Sequence, residues 1–246
     1  MNNVIILGAG RSGTSAIAGS FVGNFNRGGN LHPANDANPK GFFEANFVNR
    51  INDDLLWSCK EVETTRGLKQ GWLTSLDKDV LIMSDSKDIE DRIESVCSNN
   101  PILLKDPRFS YTLPVWLRYI NDPKIICVFR DPREFLSSMM HHCATQQYLK
   151  GMVVDSEFFQ KVWLSMYTYI LKNYLNLNMM FINYKDILEG DGLKRLSDYT
   201  GYLTDNNFPE KGLRRSNNNQ EVAYNLTEMY SRLCSLASIR YQYCNE

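Results

Sequence analysis

The stretch Val4-Ile5-Ile6-Leu7-Gly8-Ala9-Gly10-Arg11-Ser12-Gly13-Thr14-Ser15 restricts what this chain can become more than any other. Four consecutive apolar residues, three of them β-branched, predict a buried parallel strand. The glycines predict a tight turn and Thr14 onward a helix. Ile17, Phe21 and Phe25 recur at every fourth position, which gives that helix one apolar face for the sheet. A strand, a glycine-bearing loop and a helix start together gather unpaired backbone N–H groups, and small residues let a phosphate approach them. An α/β chain with an anion site in its first loop is the expectation.

Three chemical readings of the loop stand beside an ordinary glycine-rich turn. Gly8-Ala9-Gly10-Arg11-Ser12-Gly13 matches G-x-G-x-x-G, but a dinucleotide site also needs a second strand ending in Asp or Glu about 20 residues on. Residues 26–33 (Asn-Arg-Gly-Gly-Asn-Leu-His-Pro) hold no such strand. Gly8 and Gly13 also fit the ends of G-x-x-x-x-G-K-[ST], yet Thr14 occupies the lysine position, and a kinase loses its charge on the transferred phosphate without it. The third reading puts the cation inside the loop, at Arg11.

Length and charge narrow the classes. With 246 residues and no shift in composition, residues 1–246 are expected to form a single domain with a proper core. A formal net charge of -1 with 22% charged residues gives no global field toward nucleic acid or an anionic membrane, so anion binding must be local. The short apolar start has no basic lead and no cleavage pattern, and no run reaches membrane-span length. Cys59, Cys97, Cys127, Cys143, Cys234 and Cys244 show no C-x-x-C spacing, so reduced thiols in a cytoplasmic protein are expected, with neither a disulfide framework nor a metal site.

Further along, residues 26–41 are rich in Asn, Gly and Pro and predict a functional lip. Phe43, Phe47, Val48, Ile51 and Leu55 predict an amphipathic helix, with Glu44 at the edge of its buried face, either complementing the helix dipole or aimed into a cleft. A helix is expected near 88–97. Pro101-Ile102-Leu103-Leu104-Lys105-Asp106-Pro107-Arg108 reads as a strand whose tip offers Lys105 and Arg108 to a crevice. Lys124 to Phe129 is a core strand ending at Arg130, and Asp131, Pro132 and Glu134 mark a helix start. Ser138 follows two turns on, a pairing that suits a phosphate. The 159–174 stripe is core, 179–182 a strand, and 193–199 a helix stopped by Gly201. A basic loop at 211–216 precedes a closing helix from Val222 to Leu236.

Taken together, these motifs resemble the superfamily of sulfotransferases that use 3′-phosphoadenosine 5′-phosphosulfate. Gly10-Arg11-Ser12-Gly13-Thr14-Ser15 resembles the 5′-phosphosulfate loop, and Val128-Phe129-Arg130-Asp131-Pro132 with Ser138 resembles the 3′-phosphate site. Residues 38–44, 104–108 and 183–186 look like three further landmarks in the family's order. The resemblance implies a three-layer α/β/α fold like that of P-loop NTPases, with a central parallel sheet. It implies that Arg11 and the N–H groups of Ser12, Gly13, Thr14 and Ser15 hold the phosphosulfate, that Arg130 and Ser138 hold the 3′-phosphate, and that Tyr184 contacts the adenine. Arg214 and Arg215 would close over the 3′-phosphate.

The chemistry this implies needs a cation where charge grows on the leaving oxygen, with Lys105 and Arg11 as candidates, and a proton acceptor for the substrate. Small-molecule members carry a histidine two residues past the strand lysine, where this chain has Pro107. That departure moves the expected base to Glu44, with His32, His141 and His142 as alternatives. The acceptor would be a small molecule or a saccharide bearing a hydroxyl or amine. The competing expectations are a small-metabolite P-loop kinase and a nucleotide-binding member of the fold without turnover.

Overall fold

The computed structural model describes residues 2–62, 69–213, 216 and 219–243. The apolar β-branched runs form the strands expected of them. Strand β1 (Val4–Leu7) is buried at every residue. After it come helix α1 (Thr14–Ser20), α2 (Asn46–Ser58), α3 (Lys87–Cys97), β2 (Leu103–Lys105) and α4 (Phe109–Trp116). Then follow β3 (Lys124–Phe129), α5 (Pro132–Thr145), α6 (Ser156–Asn173), β4 (Met179–Asn183), α7 (Tyr184–Glu189), α8 (Gly192–Thr200) and α9 (Tyr224–Tyr243). The sheet order is β2-β1-β3-β4, and every pairing is parallel, with Ile6 opposite Lys105 and Phe129 opposite Asn183. Parallel pairing requires crossovers, so all four strands end along one edge.

Alternation along the strands divides the interior in two. Val4, Ile6, Ile126, Val128 and Ile182 pack under α1 and α8, with Ile17, Ala18 and Leu196. Ile5, Leu7, Leu104, Cys127 and Phe129 face the opposite layer, where α2, α4 and α6 bring Ile51, Trp116, Trp163 and Met166. Sheet and two helical layers thus make the three-layer α/β/α arrangement expected above. Among the described residues no helix is long and apolar enough to cross a membrane.

Three local expectations differ. Helix α1 stops at Ser20, and Phe21 turns extended to bridge Thr204, while Phe25 packs edge-on against Tyr202 at 4.8 Å. The every-fourth spacing there continues past the helix because these phenylalanines extend the same hydrophobic cluster from the segment that follows it. Phe43 lies ahead of α2 with φ +57° and packs on Phe208, and Phe47 is partly exposed, so Val48, Ile51 and Leu55 alone form the buried stripe expected of that set. At the start of α5, Asp131 accepts from the Arg133 N–H as expected. Glu134, however, takes the Arg130 Nε at 2.8 Å instead of closing a capping box.

Candidate active site

Because all strand tips share one edge, the loops that follow them converge there, and a cavity of about 750 Å³ opens among them. Gly8 starts the loop after β1 with φ +129°, where a Cβ would strike the Val128 carbonyl oxygen at 2.1 Å. Gly13, at φ +97°, carries the ring of Tyr184 where a Cβ would be. Arg11 itself is left-handed, at φ +65°, a conformation that costs a non-glycine residue about 1–2 kcal/mol. Its guanidinium reaches across the loop: Nε donates to Ser138 Oγ at 3.3 Å and Nη2 to the Ala37 carbonyl at 3.2 Å. Gly10, Arg11, Gly13, Thr14 and Ser15 line the cavity. Ser12 is turned beneath the loop, its N–H on the Ala9 carbonyl at 3.2 Å and its hydroxyl 3.3 Å from the buried Tyr167 phenol.

At the β3 tip Arg130 is buried beside the same cavity. Besides Glu134 it reaches the Arg11 carbonyl at 3.4 Å and the Ser216 hydroxyl, and its guanidinium lies over the Tyr184 ring at 5.0 Å. Ser138, on α5, lines the cavity with it. Arg214 and Arg215 lie outside the described residues.

At the β2 tip the buried Lys105 Nζ sits 2.5 Å from Glu44 Oε1 and 3.1 Å from Ser15 Oγ. Glu44 has its other oxygen 4.0 Å from Arg108 Nη1, so two cations flank one carboxylate. Glu44 comes two residues ahead of α2, where its partner is Lys105 and not the helix dipole.

Two strand-tip arginines, a loop arginine and a lysine–glutamate pair thus border one cavity at the carboxyl edge of a parallel sheet. Residues 3–191 match the sulfotransferase family. The chain belongs to that family. No curated protein matches the sequence. Among solved structures, the sulfotransferase domain from the curacin biosynthetic pathway is similar, with a TM-score of 0.55 at 15% identity over 95% of this chain and 98% of that one. A sulfotransferase from Alicyclobacillus acidocaldarius gives 0.46 at 13% identity, covering 99% of this chain and 95% of that one. The first likeness is one of fold. Family membership supports a sulfotransferase enzyme, and the residues above are what this sulfotransferase has to work with.

The sequence did not foretell what holds the β2 tip. Asp106 is fully buried and accepts from Asn49 Nδ2 at 2.7 Å, Asn52 Nδ2 at 2.8 Å, and the Arg108 N–H and Nη1 at 2.9 and 3.0 Å. Burial opposes its charge, yet Arg108 and these hydrogen bonds outweigh burial and hold its pKa below the usual carboxylate range. Arg108 Nε donates to Asp53 at 2.6 Å. Burial likewise opposes the Arg108 charge, and Asp106, Asp53 and Glu44 overcome it, raising its pKa. Asn49, Asn52 and Asp53 fall at i, i+3 and i+4 on α2, a polar stripe where an apolar one is expected, and that was the available signal.

The histidines divide. His32 Nε2 lies 2.7 Å from Asn49 Oδ1 and joins the Asp106 network, and His141 lines the cavity. His142 is buried with Nε2 2.8 Å from the Tyr148 hydroxyl. Burial first, then Arg11 and His141, press its pKa down to about 3, which makes it a weak base.

Proposed function

We infer that this sulfotransferase moves the sulfuryl group of 3′-phosphoadenosine 5′-phosphosulfate to a hydroxyl of a small acceptor. The convergence of Arg11, Lys105, Arg130 and Ser138 on one cavity carries the reading. A donor with phosphates at both ends of an adenosine needs two separated cationic grips, and the loop after β1 and the tip of β3 supply them. Arg11 and the N–H groups from Gly13 to Ser15 would hold the phosphosulfate. Arg130 and Ser138 would hold the 3′-phosphate, and Tyr184, under the Arg130 guanidinium, would border the adenine. Gly10 keeps the loop close-packed, while Ser12 serves from beneath it by fixing the turn. Arg214 and Arg215 remain candidates for closing over the 3′-phosphate.

In the reaction the acceptor oxygen attacks sulfur in line, an O–S bond forms, and the bond from sulfur to the phosphate oxygen breaks. Negative charge appears on that oxygen, where Lys105 and Arg11 stabilise it. The acceptor proton passes to Glu44, leaving a sulfate ester and 3′,5′-bisphosphoadenosine. Glu44 suits the base because it borders the cavity beside Lys105, whereas His142 is engaged by Tyr148 and His32 by Asn49. A small-metabolite kinase is disfavoured because Asp131, the acidic residue at the β3 tip, is taken up by Arg133 and the α5 N-terminus.

Thermal denaturation tests the donor. Bisphosphoadenosine without metal should raise Tm, ATP with Mg²⁺ should do so far less, and Arg130→Ala should abolish the shift. Equal shifts from both nucleotides would return the kinase.

A further inference from the structure

One wall of the cavity is built of ring side chains that the donor does not need. The Trp72 indole lies against Gly10, where a Cβ would come within 2.6 Å of it, so this ring borders the phosphosulfate loop itself. His142 stands edge-on to Trp72 at 5.8 Å and Tyr148 edge-on to His142 at 5.9 Å, centroid to centroid. These three and Gln70 line the cavity.

The proton on His142 decides what the wall offers. Nε2 faces the Tyr148 oxygen, while Nδ1 is buried and meets no partner among the described residues. A neutral imidazole has one N–H. On Nδ1 that donor would be buried and unsatisfied, whereas on Nε2 it reaches Tyr148 and leaves only an unused lone pair, the less costly outcome. The geometry therefore assigns the proton to Nε2, donating to the Tyr148 oxygen. The Tyr148 O–H is then directed elsewhere, and Tyr148 is 46% exposed. Gln70 Oε1 accepts from Trp72 Nε1 at 3.0 Å, which leaves its NH₂ as a second donor. The wall thus combines an indole with two hydrogen-bond donors and carries no ionised group. The charge that acts most on His142 and Tyr148 is Arg11, which the phosphosulfate of the donor would match, while Lys105 is matched by Glu44 and Arg108 by Asp106 and Asp53.

We propose that this wall binds the acceptor, and that the acceptor is an uncharged, polyhydroxylated ring of the pyranoside class. Its apolar ring face would rest on Trp72, a second oxygen would accept from Tyr148 and Gln70, and the transferred-to hydroxyl would face Glu44. A simple phenol has one oxygen, which the reaction consumes, so it offers neither donor an acceptor. A carboxylated sugar would bring a charge that competes with the donor for Arg11. His142 is a positioning residue that acts through Tyr148. The proposal rests on the donor reading above.

The test is ligand-observed NMR and kinetics on protein saturated with bisphosphoadenosine or donor, with methyl glucoside, galactoside and mannoside as probes beside 4-nitrophenol and methyl glucuronate. At least one neutral pyranoside should bind more tightly than the last two. Tyr148→Phe should weaken it about 3- to 10-fold, in KM and not kcat, with bisphosphate affinity unchanged. His142→Leu should reproduce that loss, and His142→Gln, which keeps an N–H near the Nε2 position, should restore most of the affinity. Preference for the phenol or the glucuronate, or indifference to Tyr148→Phe, overturns the proposal. Failure of the wild type to bind bisphosphate overturns the donor reading, and with it the acceptor. Bisphosphate binding without pyranoside binding overturns the acceptor alone.

Discussion

The tips of β2 and β3 read alike in the sequence, each a core strand running into a cation, an aspartate, a proline and an arginine, and the fold uses them differently. Arg108 is enclosed by carboxylates: Asp106 at 3.0 Å, Asp53 at 2.6 Å and Glu44 at 4.0 Å. Among the described residues Arg130 makes one ion pair, with Glu134, and otherwise hydrogen-bonds a carbonyl and a hydroxyl and lies over a tyrosine face. An arginine whose charge is matched several times over organises the protein. One matched once retains charge to offer an anionic ligand. Arg108 closes its motif while Arg130 opens the other, so counter-ions and place in the motif together separate the two roles.

The largest effect should come where the β2 tip meets the chemistry. Glu44→Gln keeps the shape but removes the proton acceptor, and turnover should fall about 10²- to 10⁴-fold with bisphosphate binding retained. Steady-state rates beside a thermal-shift titration separate the two, and undiminished turnover would clear Glu44. The two arginines then give the direct contrast. Arg108→Ala leaves Asp106 buried without its counter-ion, so urea unfolding should register a loss of about 3–5 kcal/mol. Arg130→Ala, which leaves only the Glu134 carboxylate without its partner, should lower Tm without ligand by less than Arg108→Ala does and weaken bisphosphate by about 10- to 100-fold, the worth of charge-assisted hydrogen bonds. If Arg130→Ala unfolds the protein while Arg108→Ala spares it, the distinction between the tips is reversed.

Much of this was legible beforehand because it depends on local rules. Runs such as Ile125 to Phe129 must be buried, Asp131-Pro132 must begin a helix, and Gly8 and Gly13 allow the backbone that the loop adopts. Arg11, Lys105, Arg130 and Ser138 could be placed near one another because parallel strands end together. What stayed hidden depends on distant partners. Nothing near residue 106 in the chain tells that Asn49 and Asn52 will hold its carboxylate, and Trp72 meets Gly10 across a long, featureless polar stretch. The Phe21 and Phe25 spacing misled because a helix can end while its apolar spacing continues into a loop. His142 stood only as an alternative base, and its environment is set by burial and then by Arg11, which is distant in sequence.

That environment gives an effect that vanishes at neutral pH, and it bears on the contrast between the tips because Arg11 is one of its causes. His142 has its folded pKa lowered from 6.5 to about 3, chiefly by burial and next by the positive charges of Arg11 and His141. The unfolded chain takes up a proton near pH 6.5 that the folded protein refuses. The contribution is therefore fully present above pH 6.5 and is lost as pH falls from there toward 3, by at most about 1.4 kcal/mol per pH unit. His142→Gln removes that proton, so its stability between pH 6.5 and 4 should decline more slowly than that of the wild type in urea titrations at stepped pH. Arg11→Gln, which removes one of the opposing charges, should flatten the decline by a smaller amount, because burial acts first. Parallel curves for wild type and His142→Gln would mean that the imidazole titrates normally. The Tyr148 oxygen would then face a ring that charges near neutral pH, and Arg11 would be too well matched within its loop to repel it.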